Sequence, residues 1–145
     1  MYCKTFEQLS KDELYALLRL RQDVFIIEQN SIYTDLDGYD QAAIHYLDFD
    51  PSGKLTTYAR YRQGGSLNDV KIERVVLDKS VRSKGQGKRL IKMILNDINV
   101  HFPEATIVLS SQVEASQFYS SLGFIAQGVP YDDGGIEHIH MFFSA

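Results

Sequence analysis

A chain of 145 residues, 44% hydrophobic and 23% charged, has the size and make-up of one domain over residues 1–145, burying roughly 70% of its unfolded surface. A net charge of −4 argues against a nucleic-acid partner, and no apolar run approaches the ~20 residues that cross a bilayer. The lone Cys3 cannot close an internal disulfide and no charged-then-apolar leader precedes it, so a cytoplasmic location is expected.

Residues 2–6 predict a short first strand. Ser10 then begins a helix, with Glu13 completing a capping box, and the helix is expected to run to about Gln29. A polar loop rich in Asp follows through Gln41. Ala43–Phe49 and Leu55–Arg62 read as two strands joined by the turn Asp50-Pro51-Ser52-Gly53. Gln63–Asp69 is a second turn, leading into a strand at 70–77. A helix follows at about 85–101, stopped by Pro103, then a short buried strand at Thr106–Ser110 and a helix at 113–122. The last strands fall near 124–129 and 136–143. Strands first, then strand–helix–strand–helix–strand, predict an α+β or α/β fold whose mixed, mostly antiparallel central sheet carries helices on both faces.

The most informative stretch is Arg82-Ser83-Lys84-Gly85-Gln86-Gly87. It follows the run Lys71–Leu77, which reads as a buried strand, and opens a helix whose Leu90, Ile91, Ile94, Leu95 and Ile98 share one face. Two glycines at such a junction let the backbone turn tightly and bring its N–H groups close to a ligand. The free N–H groups and positive end of the following helix favour bound phosphate. Lys84, Lys88, Arg89 and Lys92 add positive charge around the turn. The spacing is neither that of a Walker loop nor that of a dinucleotide fingerprint. It reads as a phosphate or pyrophosphate cradle serving one cofactor.

The pattern R-x-x-G-x-G over Arg82–Gly87 resembles the acyl-CoA loop of the GCN5-related N-acetyltransferases. Downstream, Ala115-Ser116-Gln117-Phe118-Tyr119-Ser120-Ser121-Leu122-Gly123-Phe124 is similar to that family's A-x-x-F-Y-x-x-x-G-F helix and turn, in the expected order and separation. Further segments resemble the ElaA-like branch: Arg21-x-x-x-Phe25-x-x-Glu28-Gln29, Asp35-x-Asp37-Gly38-x-Asp40, His45, Leu109-Ser110-x-Gln112, and Asp133-Gly134 followed by His138 and Met141, with one extra residue at Gly134-Gly135. The resemblance covers most of the chain. It implies the acyl-CoA N-acyltransferase fold, acetyl-CoA as co-substrate, and transfer of an acetyl group to a primary amine of a small molecule or peptide. Dimers are frequent in the family.

The resemblance also implies site residues. Main-chain groups of Val75, Val76 and Leu77 align the pantetheine as an added strand. The turn of Arg82, Ser83, Lys84, Gly85, Gln86, Gly87 and Lys88 takes the pyrophosphate. Gln112 holds the pantetheine arm and Phe118 belongs to the same cofactor set. Tyr119 stands beside the thioester sulfur as the general acid.

Charges in apolar patterns supply further candidates. On the first helix Leu14, Leu17, Leu18, Val24 and Phe25 form a stripe, and Arg21 and Glu28 project from its middle. A separation of seven residues is a rise of roughly 10 Å, within reach of the Arg21 side chain. Glu28 is either half of a structural ion pair or an acceptor-pocket carboxylate that binds or deprotonates an amine. Alternation along 70–77 places Glu73 with Val75 and Leu77 on one face and Arg74 with Ile72 and Val76 on the other; the resembled acetyltransferases often keep a general base on this strand, and that resemblance makes Glu73 a second candidate base. His138, with Arg21, Phe25 and Glu28, is expected to shape the acceptor pocket. His45 reads as a satisfied, half-buried histidine. With His138 and His140 it gives no convincing ligand spacing, so no metal is expected.

An amine of pKa ~10.4 is only about 0.04% neutral at pH 7, so the chemistry needs a base, Glu28 or Glu73 directly or through water. The acidic residues Glu28, Asp35, Asp37 and Asp40 point to a cationic acceptor. Two alternatives stay open. One is a CoA-binding sensor without turnover. The other is a transferase of a longer acyl chain, since R-x-x-x-F-x-x-E also resembles the acyl-homoserine-lactone synthases.

Overall fold

The Ser10 Oγ accepts from the Glu13 N–H at 3.0 Å and the Glu13 carboxylate accepts from the Ser10 N–H at 2.8 Å, so the predicted capping box starts α1, Lys11–Arg21. The computed structural model describes residues 1–66 and 68–144. Where the sequence predicts one α-helix to Gln29, the chain widens after Arg21 into a π-helical segment, Gln22–Glu28, that ends at Asn30 with φ 50°. Such wide turns are seldom regular structure for its own sake and gather at functional sites.

Among the described residues seven strands form one sheet: β1 Tyr2–Thr5, β2 Ile44–Phe49, β3 Leu55–Gln63, β4 Asp69–Leu77, β5 Thr106–Gln112, β6 Phe124–Asp133 and β7 Ile136–Phe143. Their order is β1-β2-β3-β4-β5-β7-β6, antiparallel throughout except for the parallel pair β4–β5. On one face Leu17, Leu20 and Val24 pack with Leu47, Leu55, Tyr58 and Val76. On the other, α2 (Gln86–His101) buries Leu90, Ile91, Ile94 and Ile98 against Tyr46, Tyr61, Ile72 and Leu109. A six-residue α3, Ser116–Ser121, joins that second core through Tyr119. This is the mixed, mostly antiparallel sheet covered on both faces that the sequence predicts.

Several boundaries move. The expected helix at 113–122 divides into a 3-10 turn, Val113–Ala115, and α3. β6 runs four residues past 129, through a register shift between Gln127 and Tyr131 that Pro130 disguises by removing a donor. The turn expected at Gln63–Asp69 closes with the Gly64 N–H on the Asp69 carbonyl at 2.7 Å. Leu67, within that turn, lies outside the described residues.

β4 departs from simple alternation, and the departure matters most. Arg74 has φ 56°, and the pairing with β3 jumps from Arg60↔Glu73 to Tyr58↔Val76. This bulge reverses the expected faces: Ile72 joins the core under α2 and Val76 the core under α1. The parallel ladder with β5 stops at Ile72↔Leu109, one residue before Glu73. Beyond it the two strands part.

Candidate active site

A cleft of about 1110 Å³ opens where β4 and β5 part. Residues 71–77 of β4 form one wall. Leu109–Gln112, Phe118 and Tyr119 form the opposite side, and the glycine loop closes one end. The π-helical segment contributes Val24, Phe25 and Glu28, followed by Gln29, Ser31 and Tyr33; Asp133, Ile136 and His138 complete the lining. Ser31 Oγ donates to the Gly134 carbonyl, joining the loop after the π-helix to the β6–β7 turn as a roof.

The glycine loop has the local geometry the sequence predicts. Asp78 caps a 3-10 turn, Lys79–Val81, by accepting from the Ser80 N–H at 3.0 Å. Ser83 and Gly85 then adopt left-handed backbone (φ 61° and 80°), and α2 begins with no side chain capping its first N–H groups. At Gly87 a Cβ would sit 3.3 Å from the Phe118 ring, so glycine permits α3 to pack against the helix start. Uncapped N–H groups at the positive end of a 16-residue helix, facing a cleft, make an anion site. Lys88 lines the same end. Of the other basic residues, Lys84 donates to the Ser80 carbonyl at 2.9 Å, Arg89 pairs with Asp48 at 2.9 Å, and neither these two nor Lys92 lines the cleft.

Tyr119 lies edge-on to Phe118 and Phe124, with ring centroids 5.0 and 5.8 Å away. Burial pushes its phenol above the ordinary tyrosine value, so the hydroxyl stays protonated at neutral pH. His138 also lines the cleft; its Nδ1 donates to the Ile136 carbonyl at 2.7 Å.

The candidate carboxylates have partners that local spacing does not reveal. Glu28 does not meet Arg21. It accepts from Arg82 at 2.7 and 3.0 Å, a two-pronged pair that holds its carboxyl below the ordinary glutamate value. Arg82 Nε donates to the Leu77 carbonyl at 2.9 Å. Glu73 accepts from Arg62 at 2.6 Å and from Arg60 at 3.0 Å. Burial raises its pKa, but Arg62, Arg60 and Lys71 outweigh burial and leave it low. A base so held is weak.

Arg21 lies outside the cleft lining. It is fully buried, with Nε on Asp35 at 2.9 Å and Nη1 on Asp40 at 2.8 Å. Arg60, equally buried, reaches Asp40 at 2.7 Å and Asp37 at 2.5 Å. Arg74 pairs with Asp35 and Asp37. The four acidic residues that pointed to a cationic acceptor are therefore all neutralised by arginines, which withdraws that argument. His45 is fully rather than half buried. Its Nε2 donates to the Asp40 carbonyl at 2.9 Å, an assignment that follows because a carbonyl only accepts, so Nδ1 accepts from the Tyr58 hydroxyl at 2.6 Å. Among the described residues no three His, Cys, Asp or Glu side chains are grouped to hold a metal ion, and no helix is long and apolar enough to cross a membrane.

Of the residues the sequence singles out, the cleft gathers Phe25, Glu28, Glu73, Val75, Val76, Leu77, Arg82, Ser83, Gly85, Gln86, Gly87, Lys88, Gln112, Phe118, Tyr119 and His138. Ser31, Tyr33 and Asp133 of the roof were not singled out as site residues. The adjacent glycines Gly134 and Gly135 were the available signal for that turn, both with positive φ.

A splayed parallel pair in a mixed sheet, with an uncapped glycine-led helix and a buried phenol on one cleft, defines an acyltransferase-type architecture. The model of the acetyltransferase (GNAT) domain family matches residues 8–144, and the chain belongs to that family. Protein ElaA of Escherichia coli is 36% identical over 137 residues, covering 92% of this chain and 89% of that protein. Its crystal structure superposes with a TM-score of 0.92 at 34% identity over 99% of this chain and 97% of that one, which makes the chain ElaA-like. The crystal structure of an acyl-CoA N-acyltransferase from Pseudomonas aeruginosa matches with a TM-score of 0.91 at 32% identity, covering 99% and 97%. An aminoglycoside 6'-N-acetyltransferase, solved in complex with coenzyme A, shares the fold with a TM-score of 0.74 at 16% identity over 98% and 96%.

Proposed function

We propose that the chain, as one domain, is an acetyl-CoA-dependent N-acetyltransferase that acts on a primary amine of a small molecule or peptide by direct attack. The observation that carries this reading is a single cleft lined both by the uncapped Gly85–Gly87 helix start and by Tyr119. The residues present fit coenzyme A. Helix N–H groups and Lys88 suit its phosphates, the partnerless β4 edge at Val75–Leu77 suits amide groups of an extended arm, and Gln112 and Phe118 flank that arm. When bound, the thioester supplies an activated acetyl group.

In this reading a backbone N–H of Val75–Leu77 donates to the carbonyl oxygen as it gains charge. The Tyr119 hydroxyl gives its proton to the departing thiolate. Of the two candidate bases, Glu73 is held by Arg62 and Arg60 with Lys71 nearby. Glu28 has one ion-pair partner among the described residues, and that partner, Arg82, is the one assigned to pyrophosphate. The test is isothermal titration with acetyl-CoA, run beside a thiol-release assay over a mixed panel of amines. Micromolar binding with amine-dependent release is expected. Absence of binding overturns the reading.

A further inference from the structure

Two neighbouring residues at the end of the π-helical segment reach across the cleft to the two side chains assigned to the cofactor. Glu28 takes both Nη groups of Arg82 at 2.7 and 3.0 Å, and Gln29 Oε1 accepts from Gln112 Nε2 at 2.9 Å. All four residues line the cleft. Glu28 is the last residue of the π-helix and Gln29 follows it directly, before a left-handed Asn30. The π-helix is an element of marginal regularity, and side-chain bridges rather than ladder geometry tie its end to the opposite wall. The Arg82 guanidinium is also anchored by its Nε on the Leu77 carbonyl, so its Nη groups can change partner without the arginine leaving its place.

Resting on the reading above, we infer that Glu28 and Gln29 form an exchangeable latch: they occupy the Arg82 and Gln112 donors that the cofactor takes over. A pyrophosphate is the stronger partner for a forked guanidinium held beside a helix N-terminus. Its arrival draws Arg82 from Glu28, and the pantetheine arm draws Gln112 from Gln29. The end of the π-helix is then freed from the far wall, and Glu28 presents an un-neutralised carboxylate to the cleft only once cofactor is seated. The same exchange makes Glu28 a brake on cofactor affinity and gives it a use as the amine's base at the moment an acetyl donor is present.

The latch is tested by titrating acetyl-CoA and S-acetylpantetheine, which lacks the phosphates, into the wild type, Glu28→Gln, Gln29→Ala, Arg82→Gln and Glu28→Gln/Arg82→Gln. Each bridge is partly exposed, so removing it should tighten binding about two- to fivefold. For Glu28→Gln the gain should appear with acetyl-CoA, be absent with S-acetylpantetheine, and vanish in the Arg82→Gln background. For Gln29→Ala it should appear with both ligands. Thermal melts establish that each variant is folded, and Gln29→Ala keeps the test alive if Glu28→Gln is not. Unchanged or weaker acetyl-CoA binding by both Glu28→Gln and Gln29→Ala overturns the latch, as does a Glu28→Gln gain that persists without Arg82. Failure of the wild type to bind acetyl-CoA shows in its own arm and overturns the acetyltransferase reading itself.

Discussion

Asp40→Asn should be among the most destabilising conservative changes in the chain. Asp40 Oδ1 accepts from Arg21 Nη1 at 2.8 Å and from Arg60 Nη1 at 2.7 Å, and both arginines are 0% exposed. Burial alone raises the Asp40 pKa, but the two guanidinium groups overcome it and hold the carboxyl below its ordinary value. Asparagine preserves the shape and one acceptor oxygen while deleting the charge. Among the described residues the cations Arg21, Arg60, Arg62, Lys71 and Arg74 then pair only with Asp35, Asp37 and Glu73. Stripping one partner from a buried ion pair costs about 3–5 kcal/mol because the remaining charge stays buried without compensation. For a chain of this size that lowers Tm by about 6–20 °C. Urea unfolding followed by circular dichroism at pH 7 measures it. Arg21→Met placed on top of Asp40→Asn should cost less than the two separate losses combined. The carboxylate's contribution is present above its unfolded pKa and lost as pH falls through its lower folded one, so the wild-type advantage over Asp40→Asn should shrink in acid. A loss below about 1 kcal/mol at pH 7 would refute the claim that this network carries uncompensated charge when cut.

Tyr119→Phe keeps the packing on Phe118 and Phe124 and removes a hydroxyl, so its Tm and acetyl-CoA affinity should match the wild type while turnover falls about 10²–10⁴-fold; unchanged thiol release would remove Tyr119 as the acid. His45 is held neutral, burial and then Arg21 and Arg60 lowering its pKa against the opposing pull of Asp40. A depressed folded pKa means stability is full above the unfolded value near 6.5 and declines as pH falls toward the folded one, by at most about 1.4 kcal/mol per pH unit. Urea midpoints between pH 8 and 5 should show that slope, and His45→Gln should lose it. Gly134→Ala should cost about 1–3 kcal/mol, since φ is 63° and the new Cβ would meet Ser31 Oγ at 2.8 Å. Gly135→Ala, with φ 82° and open space, should cost less, and equal thermal shifts would show that the roof contact contributes nothing.

Features decided by neighbours in the chain were legible. The capping box at Ser10, the turn at Asp50–Gly53, the apolar face of α2 and the glycine loop all follow from residues within a turn or two of each other. Charge pairing was not legible. Helical spacing suggested Arg21 with Glu28, yet Arg21 chose Asp35 and Asp40, 14 and 19 residues away, and Glu28 chose Arg82, 54 residues away. The motif assigns Arg82 to pyrophosphate alone. Nothing in local periodicity separates an acidic residue that faces a substrate from one that pins a loop to a sheet, because both are carboxylates beside apolar residues. The π-helical widening after Arg21 and the bulge at Arg74 escape for a related reason. Each inserts an offset into a regular repeat, and its cause lies in residues the repeat does not contain.

The Arg74 bulge binds these observations into one mechanical account. A left-handed arginine costs of order 1 kcal/mol or more, and at an ordinary turn glycine would serve. At this position the side chain pairs with Asp35 and Asp37, the carboxylates that also hold Arg21 and Arg60. The ion network thus offsets a backbone strain that glycine would relieve without supplying a cation. In return the bulge comes two residues after the last β4–β5 pair at Ile72, where the partnerless edge and the cleft begin. The charge network thus reaches the cleft itself: Arg74 and Glu73 belong to it and line the site at the point where β4 is distorted and its ladder with β5 ends.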